Sequence, residues 1–204
     1  MKMFEGKSAV AMAGVLLGAV LACGSAQAQA QAPAAPAAPG KLDMTQVEDW
    51  QVRCSPVASP SPCDMFQEMA NKDRNQRILA ISVAYVPSVD RYALTIAVPL
   101  GIAIAKGITL QTDSYTTPAF HYRRCDRDGC YVEAPVDKSV IEGLAKSSPD
   151  GKARANIVVD NGKAYGLTFS LKGFASAHDD MVSKARAKAK SVSQAGAAPA
   201  APQQ

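Results

Sequence analysis

From residue 50 onward the chain runs in short stretches of alternating apolar and polar side chains, broken at regular intervals by proline, glycine, asparagine and aspartate. In "WQVRC" (50–54), Trp50, Val52 and Cys54 fall on one side and Gln51 and Arg53 on the other, the period of two expected of a strand with one buried face. "CDMFQEM" (63–69) keeps that alternation less cleanly. "RILAISVAYV" (77–86) and "RYALTIAVPLG" (91–101) are apolar runs rich in β-branched residues, and the four residues 87–90 between them predict a hairpin with both strands well buried. Pro99 and Gly101 interrupt the pattern, and "IAIAKGITLQTD" predicts a loop and then a short strand ending near Asp113. "ARANIVVDN" and "KAYGLTFSLKG" read as two more strands, joined at Asn161-Gly162, a strong two-residue hairpin signal.

Two segments change period. In "DKSVIEGLAKSSPDG", Asp137 is placed to cap, Val140, Ile141 and Leu144 share a helical face, and Pro149 with Gly151 ends the element. Residues 174–190 are rich in helix-forming Ala, Lys and Arg, but only Phe174, Ala177, Met181 and Val182 offer a face that can dock. Seven to nine short strands with one inserted and one terminal helix predict an all-β fold, an antiparallel β-sandwich; a parallel sheet would alternate strands with long helices. The core candidates are Trp50, Phe66, Ile78, Ile81, Val83, Leu94, Ile96, Val98, Leu110, Phe120, Val158, Leu167 and Phe169.

The ends of the chain place it in a compartment. Lys2 and Lys7 precede an apolar run from about Ala9 to Ala22 and then small residues, the layout of a secretory signal over residues 1–28. The run is shorter than the roughly 20 apolar residues a membrane-spanning helix needs, so no span is expected in the mature protein. Ala26-Gln27-Ala28 is the favoured cleavage site and releases a soluble periplasmic protein. Val20-Leu21-Ala22 before Cys23 is an alternative that leaves a lipid on Cys23, although Leu21 fits such a site poorly. Residues 29–42 are an Ala/Pro-rich linker, 43–182 the folded domain, and 183–204 a basic and then Ala/Pro-rich tail.

Charge removes one class of function. The formal net charge is +4, yet residues 41–171 carry fifteen basic and fifteen acidic side chains, so the excess sits near the C-terminus in "SKARAKAKS". A balanced core lacks the basic face of a nucleic-acid platform. The C-terminal cluster is a candidate for weak contact with anionic envelope components, against a solvated tail that serves solubility. It lacks the broad apolar stripe of an amphipathic anchor.

Four cysteines remain in the mature domain: Cys54, Cys63, Cys125 and Cys130. An even count in an exported protein reads as disulfides, and local pairing, Cys54 with Cys63 and Cys125 with Cys130, is the expectation. "FHYRRC" and "CYVEAPV" are strand-like arms around the turn "DRDG", and cross-strand neighbours lie within disulfide reach. "CSPVASPSPC" closes the other pair across a Pro/Ser loop. Zinc would need a second close cysteine pair or paired histidines, and only His121 and His178 are present. A redox couple usually has two intervening residues at a helix start, whereas four intervene here in a turn.

Chemistry is otherwise sparse. His121 reads as an edge-strand histidine on the face opposite Phe120 and Tyr122, with Asp113 or Asp128 as conceivable partners, and no Gly-x-Ser-x-Gly elbow accompanies it. Asp126 and Asp128 read as turn formers. Arg123, Arg124 and Arg127 cluster near the hairpin tip, nearly cancelled by those two acids. The loop "VPLGIAIAKGI" is apolar and glycine-punctuated; it is either a binding rim or, as favoured, a crossing that packs Leu100, Ile102 and Ile104 into the core.

The succession "DWQVRC", "PCDMFQEM", "VPLGIAIAKGITLQTD", "CDRDGCYVEAPV" and "LTFSLKGFASAHDDM" resembles the invasion-associated locus B family of exported proteins, from about Asp49 to Met181. The resemblance implies an immunoglobulin-like β-sandwich at the periplasm or envelope, and it brings no catalytic residues with it; no cofactor or metal is expected. The expectation is therefore a non-enzymatic exported protein that binds an envelope or protein ligand or supports the envelope, with no nucleic acid. The alternative is a secreted or surface-exposed factor in host-cell contact.

Overall fold

The computed structural model describes residues 40–71, 73, 76–146 and 151–196. The signal region, most of the linker, the end of the inserted helical segment at 147–150 and the last eight residues lie outside the described residues. Ten strands and two helices follow one another as β1 (Asp43–Val47), β2 (Trp50–Cys54), β3 (Cys63–Asn71), β4 (Gln76–Val86), β5 (Arg91–Val98), β6 (Thr109–Gln111), β7 (Arg124–Asp126), β8 (Gly129–Val136), α1 (Lys138–Ala145), β9 (Lys152–Val158), β10 (Ala164–Ser170) and α2 (Phe174–Gly196). All pairings are antiparallel. A seven-stranded sheet in the order β1-β2-β3-β4-β5-β8-β7 and a three-stranded sheet in the order β10-β9-β6 form the two layers of a β-sandwich. One buried cluster joins them, with Val52, Met65, Ile81, Val83, Leu94, Ile96 and Val132 from the large sheet and Leu110, Ala153, Ala155 and Phe169 from the small one.

Strand parity decides which side chains enter that cluster. Cys54 pairs in register with Cys63, and Cys125 with Cys130, and both pairs are bonded, with Cα atoms 4.1 and 4.0 Å apart. Because Cys63 points inward, so do Met65 and Gln67, and Phe66 is on the outer face. There Phe66 lies 3.8 Å beneath the Arg53 guanidinium, which also pairs with Asp64, so this core candidate is a platform for an ion pair and is only half-buried. Ile78 and Val158 are displaced in the same way, each half-buried next to a fully inward neighbour, Leu79 and Ile157. Phe120 and Leu167 are half-buried because each lies in an outer segment of its layer, Leu167 on the end strand of the small sheet. The other eight core candidates are buried.

Helix α1 starts at Asp137 and buries Ile141 and Leu144. The Asp137 carboxylate makes no cap hydrogen bond and pairs instead with Arg91 at 3.2 Å. Helix α2 docks through Phe174, Ala177, Met181 and Ala185, a narrow stripe of mostly small side chains lying against β2, β3 and β4. Phe174 meets Trp50 edge-to-face at 5.2 Å.

Polar bonds finish the docking of α2, and the basic segment supplies them. Lys184 donates to Thr45 at 2.7 Å and to Asp180 at 2.8 Å. Arg186 donates to the Tyr85 hydroxyl at 3.0 Å, and that hydroxyl donates to Asp90. The terminal helix expected over 174–190 runs on to Gly196, and the first two cations of the segment expected to be a basic tail from Ser183 are spent on the fold.

Three expectations follow. Replacing Cys54 and Cys63 together by alanine should cost about 2–3 kcal/mol of unfolding free energy, and more than the same change at Cys125 and Cys130, whose loop is shorter (separation 5 against 9). Denaturant unfolding of the two double variants checks the order. The Tyr122 hydroxyl is buried without a partner among the described residues, and burial pushes its ionisation up to about 12. Tyr122→Phe should therefore be neutral or stabilising by up to about 1 kcal/mol. A phenol raised in the folded state stabilises below its unfolded value and ceases to as pH climbs from about 10 toward 12, so wild type should lose stability over that window and the Phe variant less; denaturation at pH 8 and pH 11 separates them. At the other limb, the Tyr85 hydrogen bond, with Arg186 beside it, holds the Asp90 carboxyl below the ordinary carboxylate range. A depressed acid stabilises above its unfolded value and stops doing so as pH falls through its folded one, so α2 should loosen below about pH 4. Trp50 emission should red-shift there, and Asp90→Asn should remove that acid step.

Candidate binding rim at the stapled hairpin

The hairpin of β7 and β8 is held at its base by Cys125–Cys130 and turned by Arg127 and Asp128. Asp126 accepts the Asp128 backbone N–H at 2.9 Å, the side-chain turn expected of it, and that bond is the main reason its carboxyl sits below the ordinary range. Gly129 has φ 144°, and a Cβ there would lie 2.4 Å from the Val98 carbonyl oxygen. Only glycine lets the hairpin approach the end of β5 this closely.

That approach brings three sequence-distant pieces together. The tip residues Arg127 and Asp128, Pro99 and Leu100 of the following loop, and Gln76 and Arg77 at the start of β4 line an open cavity of about 500 Å³ floored by Tyr131. Arg124 stacks over the Tyr131 ring at 4.1 Å, and Arg77 lies toward the same ring at 5.8 Å. Arg77 also donates to the Asp128 carbonyl at 3.0 Å and to the Tyr131 hydroxyl at 3.3 Å. The three clustered arginines have different fates. Arg124 is neutralised by Asp126 and Glu133, Arg123 lies 3.5 Å from Glu133, and Arg127, 92 % exposed, has only Asp128, at 3.8 Å, among the described residues.

The loop 99–108 only partly crosses the core. Ile102 and Ile108 are buried, whereas Leu100 and Ile104 are 55 % and 52 % exposed. The packing expected of Leu100 and Ile104 is therefore not found. A 3₁₀ turn at Ile104–Lys106 carries Ile104 outward, and the bridge of Ile102 to Val159 anchors only alternate positions. An exposed leucine next to a guanidinium and a tyrosine ring can take an apolar group and an anionic group side by side.

His121 is exposed and makes no hydrogen bond or ion pair with any described residue, Asp113 and Asp128 included. The other histidine is the connected one. His178 Nε2 lies 2.9 Å from the Tyr92 hydroxyl and Nδ1 lies 3.0 Å from Asp179. This row sits where α2 meets β5, and the Tyr92 ring is buried, so it serves to dock the helix. Sequence reading missed it because its members are 86 residues apart. Arg77 and Tyr131 were missed for the same reason; each reads locally as an ordinary strand residue. Among the described residues no three His, Cys, Asp or Glu side chains come together as a metal set. No helix among them is long and apolar enough to cross a membrane.

A family model described as "Invasion associated locus B (IalB) protein" matches residues 50–182. The invasion protein B homologs of Brucella abortus strain 2308 and of biovar 1 strain 9-941 are each 28 % identical over 134 residues, covering 65 % of this chain and 75 % of theirs. The crystal structure of invasion associated protein B from Bartonella henselae superposes with a TM-score of 0.57 at 22 % identity, covering 69 % of this chain and 96 % of that one, and so shares the fold. This chain belongs to the invasion associated locus B family.

Proposed function

We propose that the protein is an exported, disulfide-stabilised component of the cell envelope that acts by binding and not by catalysis, with the rim around Leu100, Arg127, Arg77 and Tyr131 as its binding surface. One observation carries the reading: the stapled hairpin and the proline-glycine loop, the two stretches that stood out in the sequence, meet there and leave an apolar side chain exposed beside a guanidinium. The ligand that suits it carries a carboxylate or phosphate next to an apolar group. The periplasm is the favoured location, because the signal-like N-terminus directs export and two local disulfides suit an oxidising compartment. Lipid attachment at Cys23 is the variant of this reading that keeps the protein at a membrane.

Contact of the C-terminal segment with anionic envelope components narrows to Lys188 and Lys190, since Lys184 and Arg186 are engaged with the sheet. A second reading, a surface-exposed factor in host-cell contact, is supported by the names of the relatives, which are called invasion protein B homologs.

Osmotic shock should release the mature protein with no thiol that alkylates before reduction. In cells, a photo-cross-linking side chain in place of Gln76, which lines the rim, should give a discrete adduct. The paired change Leu100→Ser and Arg127→Ser, both at exposed positions, should cut adduct yield about tenfold without moving the thermal midpoint. An adduct indifferent to that double change would remove the rim as the binding surface, and appearance of the protein only outside the outer membrane would favour host contact.

A further inference from the structure

We propose that β10 is a dimerisation edge, at which a second copy of this chain adds its own β10 antiparallel and centred on Gly166, joining two three-stranded sheets into one of six strands.

The direction of the backbone groups in β10 follows from its C-terminal end. The Leu171 N–H donates to the Gly151 carbonyl at 3.0 Å, toward the β9 side. One residue earlier the chain faces the other way: the Ser170 N–H donates to Gln67 Oε1 at 2.9 Å, and the Ser170 carbonyl accepts from Trp50 Nε1 at 3.1 Å and Gln67 Nε2 at 3.3 Å. Residues along an antiparallel strand alternate between one neighbour and the other. Tyr165, Leu167 and Phe169 therefore bond to β9, and Ala164, Gly166 and Thr168 present N–H and C=O groups outward. No described residue meets those six groups, since β10 pairs with β9 alone.

The other sheet edges are defended. Strand β7 has three residues, two of them charged, and is tied down by its disulfide. The far side of β6 is met by the segment that bridges Ile108 to Phe120 and Gln111 to Thr116. Strand β1 begins with a charged residue, Asp43, and its Thr45 hydroxyl is taken by Lys184 of α2. Strand β10, "AYGLTFS", has seven residues with no charge, no proline and no bulge against β9. Edges without such features are the ones that pair.

The opening suits its own copy. The Gln67 amide closes one end by acting on Ser170 as a neighbouring strand would, and the turn in which Val159 N–H bonds the Lys163 carbonyl closes the other. The outward residues left between them are symmetric about Gly166. A two-fold axis there pairs Gly166 with Gly166, and Ala164 with Thr168 of the second copy, each pair exchanging two hydrogen bonds. Between these pairs, Tyr165 faces Leu167 of the second copy on the inner side of the sheet. Tyr165 is 49 % exposed and Leu167 half-buried, and this contact would cover apolar surface left open in one copy. Within β10 itself no charge is placed opposite a charge, and the Arg154 stem of each copy lies over its own Gly166.

Sedimentation of the purified, fully oxidised protein from micromolar to millimolar concentration should show monomer converting to dimer. Hydrogen exchange at the Gly166 and Thr168 amides should slow as it does. Thr168→Pro removes an N–H that β9 does not use and deletes two hydrogen bonds per dimer, so it should weaken the dimer about tenfold or more with an unchanged circular-dichroism spectrum. Tyr165→Lys, which places a charge against an apolar neighbour, should act in the same direction. A wild type that stays monomeric throughout, or a dimer of equal affinity in both folded variants, overturns the proposal. So does protection of these amides only on adding an extended peptide from another protein, which would identify a different occupant.

Discussion

Cys54 and Cys63 stand directly opposite each other where β2 and β3 pair, and a bond between them settles the parity of both strands at once. With a period of two, a slip of one residue would turn Trp50, Val52 and Met65 to solvent and bring Arg53, Asp64 and Phe66 inside. Trp50 is wholly buried, and it is at once the ring that receives Phe174 of α2 and the donor that holds the end of β10. The packing of the terminal helix and the seating of the smaller sheet against the larger therefore both depend on a register pinned a few residues away. Gln67, inward on the same parity, does the rest of that joining through its amide.

The second cystine acts on a different scale. Cys125–Cys130 closes a hairpin too short to contribute much chain entropy, and its consequence is positional. It keeps the tip in a shape that can descend on the Val98 carbonyl at Gly129, and from that descent comes the cavity shared by Arg127, Leu100 and Tyr131. One staple organises the core and the other presents a surface.

Helix α2 shows how charge that looks idle in a sequence is consumed in a fold. A run of alternating alanine and basic residues suggests a solvated tail, because Asp180 is the one counter-charge that the local sequence offers Lys184 and none is offered to Arg186. In three dimensions Thr45, Tyr85 and Asp90 arrive from segments 96 to 139 residues away, and Lys184 and Arg186 become part of the packing. Alanine at 177 and 185 is what lets the helix come near enough for those bonds.

Much of the architecture was legible in the linear pattern. The period-two runs at 50–54, 77–86 and 91–98, the Asn161-Gly162 turn, the two local cysteine pairs and the apolar spacing of the terminal helix all report on neighbours within a few residues, where backbone geometry alone relates sequence to space. Phe66 was misassigned because composition does not state parity; only the inward cysteine three residues earlier does. Arg77, Tyr131, His178 and the open edge of β10 were invisible, since each acquires meaning from a partner far along the chain or from the lack of one. Sequence by itself determined the class of fold, the staples and the family likeness, because alternation and turn chemistry are local properties. Which side chains meet at the rim, which cations are spent on docking and which strand edge stays open were decided by tertiary structure, because those depend on how distant segments are brought side by side.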